Sequence, residues 1–438
     1  MPEIVDEFLV LSYFGDNFNV CVNDSEVYCP CSFAHSESSS MESVATVVEC
    51  IDDRDQFRGI PDSFVGIPPK SYPLVITFSK FLLMLDGTLG ASYFDRFRDE
   101  MRLTEGGNSS SRPAAFLMRS KEVNFDRFSA CYWPHINVQL TKGLDASRVF
   151  TEIISSIKGG LQAGETDDGK LRMESYLQLS EGRASTLSWQ QREMIYNIFL
   201  DYERMRVERG EFDLADLVND LHRRLTHERY DGDSIDFVYI DEVQDLTIRQ
   251  IALFKYICKN VDEGFVFSGD TAQTIARGID FRFQDVRCLF FREFVMRKRS
   301  DDGHEGEEKG QISPIFHLSQ NFRTHAGILK LGDSVIQLIY HFFPQSVDIL
   351  PPETSLIFGE APILLESGSD ENAIVTIFGN TGNVGGNLVG FGAEQVILVR
   401  DHSVQKEISS YVGKNALVLT IIECKGLEFQ VNENMRTF

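Results

Sequence analysis

The chain alternates short apolar runs with longer amphipathic stretches. The short runs are rich in β-branched and aromatic residues and end in polar residues, which is typical of buried strands. They occupy residues 8–13, 71–79, 237–240, 265–267, 396–400 and 416–420. The longer stretches carry apolar residues at helical spacing and predict helices. These cover residues 80–85, 148–158, 187–206, 214–225, 326–343 and 404–411. The alternation predicts an α/β fold with parallel sheets.

The order of these elements predicts two strand-rich parts, the first of them interrupted by helices. A polar run with glycine at residues 300–308 predicts a flexible linker between the two parts. The predicted segments are a poorly defined N-terminal segment at 1–60, the start of the first part at 61–91, a helical insertion at 92–212, the rest of the first part at 213–298, the linker at 299–311 and the second part at 312–438.

Two carboxylates directly follow the predicted strand 237–240. They are Asp241 and Glu242, within the sequence Asp-Glu-Val-Gln-Asp. Ligands of open α/β sheets bind beyond the carboxyl ends of the strands. There, Asp241 would hold Mg²⁺, directly or through its water, and Glu242 would orient or deprotonate an attacking water. The alternative is an ordinary solvated acidic loop after a core strand.

Three further stretches favour the catalytic interpretation. Gly-Asp-Thr-Ala-Gln-Thr-Ile begins at Gly269, directly after another predicted strand. Asn-Phe-Arg begins at Asn321, and Lys-Gly-Leu-Glu-Phe begins at Lys425. In this order, the four stretches resemble motifs II, III, IV and V of superfamily 1 helicases of the UvrD/Rep type. The flanking sequence resembles the UvrD-like family of TPR and ankyrin repeat-containing proteins.

This resemblance implies the architecture and chemistry of a motor protein. The fold would be two RecA-like parallel-sheet lobes of the P-loop NTPase type, with a mainly helical insertion in the first lobe. Residues 61–91 and 213–298 would form domain 1A, residues 92–212 the insertion called 1B, and residues 312–438 a truncated domain 2A. ATP and Mg²⁺ would be the cofactors. Hydrolysis of the ATP would drive translocation along a single strand of DNA or RNA.

The resemblance also implies a role for each matching residue. Gln273 would sense the γ-phosphate or its water, and Asp270 would order that loop. Arg323 would be the arginine finger that reaches the transferred phosphate from domain 2A. The remaining nucleotide contacts would be Arg277, Lys425, Gly426 and Glu428. Thr77, at the motif Ib position, would contact a phosphate of the nucleic acid, although an ordinary strand-forming threonine explains it equally well.

The sequence contains no phosphate-binding loop of the kind that this family uses to bind ATP. Such a loop ends in Gly-Lys-Ser/Thr, so that backbone N–H groups and the lysine neutralise the phosphates. The nearest match, residues 164–171, lacks the hydroxyl residue and carries three carboxylates, so we interpret it as a turn. The arginine of motif VI is also missing. We therefore expect an incomplete helicase core, with a catalytically inactive scaffold or interaction protein as the alternative.

Composition limits the partners and the location. A net charge of −24 weakens the expectation of a nucleic-acid partner, because Lys and Arg supply most non-specific affinity for phosphates. No apolar run approaches the roughly 20 residues of a membrane span, and the acidic N-terminus is unlike a secretory signal. These features predict a nuclear or cytoplasmic protein. A zinc site formed by Cys21, Cys29, Cys31 and His35 is a weak alternative to free thiols.

Overall fold

The computed structural model describes residues 8–11, 59–99, 113–182, 187–295, 312–344, 347–362, 396–412, 417–425 and 427. These residues fall into two compact units. The first contains the described part of Pro61–Ala361 together with Phe8–Leu11, and the second contains residues 59–60 and the described part of Pro362–Phe438. The predicted linker, like the cysteine cluster around Cys29, lies outside the described residues. The predicted domain boundaries stay predictions.

A four-stranded parallel sheet lies at the centre of the first unit. Its strands are β1 (Phe8–Leu11), β2 (Leu74–Ile76), β3 (Phe237–Ile240) and β4 (Phe265–Phe267). The strand order is β2-β1-β3-β4, and Ile240 of β3 pairs with Leu11 on one side and with Phe267 on the other. All four lie within stretches that the sequence predicts to be strands, so these predictions are confirmed. Since the strands are parallel, the residues that follow β3 and β4 meet at one edge of the sheet.

Helices make up most of the rest of the first unit. They are α1 (Phe78–Thr88), α2 (Ala114–Lys121), α3 (Phe125–Arg127), α4 (Val138–Thr141), α5 (Ala146–Thr151), α6 (Met173–Gly182), α7 (Trp189–Glu208), α8 (Leu214–His227), α9 (Ile248–Ala252), α10 (Phe283–Leu289) and α11 (Ala326–Phe342). Helices α3, α5 and α10 continue as wider π-helical turns at Phe128–Tyr132, Glu152–Ile157 and Phe290–Val295. The predicted helices of this unit are confirmed to within a few residues.

Local sequence explains where α7 of the insertion and α8, which follows the insertion, begin. Ser188 and Gln191 form a capping box at the start of α7, in which each side chain accepts the other residue's backbone N–H. Asp213 and Asp216 form the equivalent box at the start of α8. These reciprocal bonds satisfy N–H groups that have no partner within the helix.

The helical insertion has its own apolar core. Most of its buried residues come from α5, α6 and α7 and from the π-helical turns that follow α3 and α5. Tyr132 is fully buried in this core, and Trp133 packs against it. The interpretation of these two aromatic residues as core residues is therefore confirmed.

Two smaller parallel pairs complete the described structure. In the first unit, β5 (Gln320–Asn321) pairs with β6 (Thr354–Ser355). In the second unit, β7 (Val396–Val399) and β8 (Leu417–Thr420) pair around α12 (His402–Val412), as predicted. No helix in the described part of the chain combines the length and apolar character needed to cross a bilayer. The observed fold is thus a mixture of helices and small parallel sheets.

Candidate functional site

The predicted carboxylates lie at the carboxyl edge of the central sheet. Asp241 follows β3 directly and is exposed, and Ser268 follows the neighbouring strand β4. The Ser268 hydroxyl donates to Asp241 Oδ1 over 2.9 Å, and the Val243 N–H donates to the Ser268 carbonyl over 2.9 Å. The parallel register of β3 and β4 therefore brings motif II and motif III side by side.

Glu242 has a backbone conformation that is rare for a residue with a side chain. Its φ is 52° and its ψ is 40°, in the left-handed region. Among the described residues it is the only non-glycine with a positive φ. This conformation costs about 1–2 kcal/mol for an L-residue. Such strain tends to occur where a side chain must point in one functional direction, so the backbone supports a role for the Glu242 carboxylate.

Gln244 joins the two motifs, and sequence reasoning missed it. Its side chain is fully buried. Gln244 Nε2 donates to Glu242 Oε2, while Gln244 Oε1 accepts the Asp270 N–H over 3.0 Å. Gly269 allows this approach, because a Cβ there would lie 2.2 Å from Gln244 Oε1. The sequence feature that could have identified Gln244 was its position between the acidic residues of motif II. A buried amide side chain at that position can donate one hydrogen bond and accept another.

Replacing Gln244 by leucine should measure this bridge. The side chain would keep its bulk, but the half-buried Asp270 N–H and the Glu242 carboxylate would each lose a hydrogen-bond partner. We expect the free energy of unfolding in urea to fall by about 1–3 kcal/mol. The matched control is Gln284→Leu, at an exposed glutamine of α10, with an expected change within about 0.5 kcal/mol. Equal small losses for both variants would contradict the bridging role.

Asp270 and Gln273 lie together in the motif III loop, as predicted. Asp270 Oδ1 accepts the Ala272 N–H over 2.9 Å, and Asp270 Oδ2 accepts from Gln273 Nε2 over 3.0 Å. Asp270 thus orders the short 3₁₀ turn Thr271–Gln273 and sets the direction of the Gln273 amide. The geometry agrees with an ordering role for Asp270.

The other predicted residues are distributed more widely. The Arg277 guanidinium lies over the Phe125 ring of the insertion at 5.0 Å. Arg323 is exposed, and its backbone N–H donates to Asn321 Oδ1 over 2.9 Å. Lys425 is buried in the second unit, whereas Gly426 and Glu428 lie outside the described residues. The nucleotide-binding roles of these residues stay predictions.

The structure decides two points that the sequence left open, and the first is that Thr77 is not a strand residue, because it lies between β2 and α1. The Thr77 hydroxyl caps helix α1 by accepting the Lys80 N–H over 3.2 Å. That local bond explains Thr77 without a nucleic-acid phosphate. The glycine-rich segment at residues 164–171 is a turn, with Gly169 at φ +69° and Lys170 paired to Glu203. The interpretation of this segment as a turn is confirmed.

A second acidic cluster lies within the helices and is already occupied by a lysine. Glu203, Asp213 and Asp216 point their carboxylates at one another closely enough to hold a metal ion. Lys158 Nζ lies among them, 2.7 Å from Asp216 Oδ1 and 3.1 Å from Glu203 Oε1. Burial alone would lower the pKa of Lys158, but the three carboxylates, Asp213 first among them, outweigh burial and raise it. This cluster is an internal ion-pair network.

Mg²⁺ fits the edge of the central sheet better than it fits this cluster. Mg²⁺ prefers oxygen ligands, keeps several waters and usually takes only one or two protein carboxylates. Asp241 offers an exposed carboxylate beside the Ser268 hydroxyl, with Glu242 next in sequence. The oxygen donors present there are therefore the kind that this ion uses.

Comparison with known proteins agrees with this geometry. Residues 139–288 match the family described as UvrD/REP helicase N-terminal domain. This segment is a UvrD-like helicase domain. It includes motif II, motif III and much of the helical insertion, so the recognition made from the motifs is confirmed. Asp241, Glu242, Gln244, Asp270 and Gln273 all lie inside the matched residues.

This chain is also similar in sequence, over most of its length, to a much longer protein. TPR and ankyrin repeat-containing protein 1 of Homo sapiens is 33% identical over 393 residues, which are 82% of this chain. The same alignment covers 13% of the relative, so the chain spans a small part of that protein's length. The similarity extends well beyond the UvrD-like domain on this chain.

Proposed function

We propose that the chain carries the metal-binding and water-positioning half of an ATP-hydrolysing helicase site. The observation that supports this most is the bridge formed by Gln244 between Glu242 and Asp270. It links the predicted catalytic carboxylate to the loop of the predicted γ-phosphate sensor. In this proposal Asp241 binds Mg²⁺, Glu242 orients the water and Gln273 responds to the γ-phosphate.

The wider architecture of the proposal follows from the family. Two RecA-like lobes would enclose the nucleotide, and Arg323 would act from the second lobe as an arginine finger. Hydrolysis would drive movement along a single strand of DNA or RNA. The bound ATP would supply the transferred phosphoryl group, while the side chains described above orient water and hold the metal ion.

A second candidate function is a helicase-like scaffold that does not use nucleotide. The observation that favours it is in the sequence, where no glycine-rich loop ends in Gly-Lys-Ser/Thr. Without that loop, backbone N–H groups and a lysine would not cradle the β- and γ-phosphates. The two candidates differ in whether Mg²⁺ and ATP bind.

A nucleotide titration separates them. Fluorescent mant-ATP would be titrated into the full 438-residue chain with and without Mg²⁺, and its anisotropy recorded. We expect binding that requires Mg²⁺ and that weakens at least about tenfold in Asp241→Asn, the effect of losing about 1.4 kcal/mol. The control is Glu263→Gln, which removes an exposed carboxylate before β4, at the opposite end of the strand from the site. No binding by the wild-type chain at millimolar nucleotide would favour the scaffold.

A further inference from the structure

The π-helical turn Glu152–Ile157 places two serines in the interior of the insertion. The turn closes with the Lys158 N–H donating to the Ile153 carbonyl, five residues back, over 3.0 Å. Ser155 and Ser156 are both buried. π-helical turns are uncommon and occur frequently at functional sites, so we asked what each hydroxyl contacts.

Ser155 bonds to the chain that follows motif III. Its hydroxyl donates to the Gly278 carbonyl over 2.6 Å and accepts the Asp280 N–H over 2.9 Å. One buried side chain thereby satisfies a backbone acceptor and a backbone donor of the same loop. Backbone polar groups in packed regions need such partners, so removal of this hydroxyl would take one hydrogen-bond partner from each of these two groups.

Other contacts hold the same loop, defined here as residues 277–280, against the insertion. Arg277 Nη1 donates to Ser147 Oγ over 3.2 Å. Gly278 has φ +90°, and a Cβ there would lie 2.9 Å from Cε1 of Phe150. Ser147 and Phe150 are both on α5, the helix that leads into the π-helical turn. The loop therefore packs closely on one continuous stretch of the insertion.

The end of the same turn contacts the chain that follows motif II. The Arg249 N–H of α9 donates to the Gly159 carbonyl over 3.0 Å. A Cβ on Gly159 would lie 3.0 Å from Cβ of Thr247, the residue that caps α9. Residues 152–159 thus touch the sequence downstream of both motifs, within the first unit.

We propose that Ser155 is a positioning residue for motif III. By fixing residues 277–280 on the insertion, it holds the Gln273 amide in place relative to Glu242. The proposal rests on the proposed function, because that function gives Gln273 its role. Ser155 acts through the loop and is not itself a catalytic residue.

Hydrogen–deuterium exchange on the full chain tests the contact without any ligand. In Ser155→Ala, peptides covering residues 268–282 should exchange about tenfold faster, the factor that corresponds to one buried hydrogen bond. The matched control is Ser156→Ala, the neighbouring buried serine, whose hydroxyl does not bridge this loop. Ser155→Thr keeps the hydroxyl and should stay within about twofold of wild type. Equal exchange of these peptides in the two alanine variants would overturn the proposal.

A nucleotide experiment separates positioning from a purely structural contribution. Saturating mant-ATP with Mg²⁺ should slow exchange at residues 270–273 in the wild-type chain. In Ser155→Ala we expect the nucleotide affinity to stay within about twofold and this slowing to be lost. Slowing that persists unchanged in Ser155→Ala would overturn the positioning role. If the wild-type chain binds no nucleotide, the proposed function fails, and the ligand-free exchange alone decides whether Ser155 holds the loop.

Discussion

Lys158→Met is expected to lower the free energy of unfolding by about 3–5 kcal/mol, because it removes one partner from a buried ion-pair network. The Lys158 side chain has no exposed surface, and Asp213 is 1% exposed. Methionine would fill a similar volume but would leave Asp213 with less compensation for its charge. Arg206, which still pairs with Asp216 over 2.8 Å, would keep the loss toward the lower end of that range. Urea denaturation measures the difference.

The pH dependence of this loss follows from the pKa of Lys158, which lies above its ordinary value of 10.5 in the folded chain. A raised pKa contributes stability that is fully present below the ordinary value and is lost as the pH rises through the folded-state pKa. The difference in free energy of unfolding between wild type and Lys158→Met should therefore be constant through neutral pH and become smaller in strong alkali, where Lys158 loses its proton.

The matched control for this variant is Lys259→Met. Lys259 also pairs with a carboxylate, Asp236, over 3.2 Å, but its side chain is 52% exposed. Exposed pairs contribute about 0–1 kcal/mol, so this variant should be close to wild type. A loss below about 1 kcal/mol in Lys158→Met would show that the buried network contributes no more than a surface pair.

Glu242→Gln is expected to reduce Mg²⁺-dependent ATP turnover by about 10²–10⁴-fold while sparing nucleotide binding. General-base catalysis by a positioned carboxylate is worth about that factor. Glutamine keeps the length of the side chain and retains an oxygen that can accept from Gln244 Nε2, so the loop geometry should survive. Steady-state phosphate release and mant-ATP anisotropy, measured on the same samples, give turnover and affinity separately.

Glu263→Gln again serves as the control, since it removes one exposed carboxylate at the far end of β4. Its turnover should equal that of wild type. Turnover that is unchanged in Glu242→Gln would remove Glu242 from the chemistry. In that case, the left-handed backbone at this residue would need an explanation other than the orientation of a catalytic base.

Much of the local structure around the site could be predicted from sequence. The apolar runs before Asp241 and Ser268 were identifiable as strands, because β-branched and aromatic residues are crowded there between polar ones. Asp270 and Gln273 could be placed in one loop by their spacing. The contacts that join the loops could not be predicted, since Gln244 and Ser155 bond to residues from distant parts of the chain or across a turn.

The sequence by itself determined the types and order of the longer helices and of the main strands, and the family of the segment 139–288. These depend on local periodicity and on short motifs, which can be read from neighbouring residues. Only the tertiary structure decided that β1 lies between β2 and β3, that Lys158 fills the acidic cluster and that Ser155 holds residues 277–280. Each of these depends on pairing between residues far apart in the chain, and on the direction in which a helical turn points its side chains. Hydrophobic patterning carries neither kind of information.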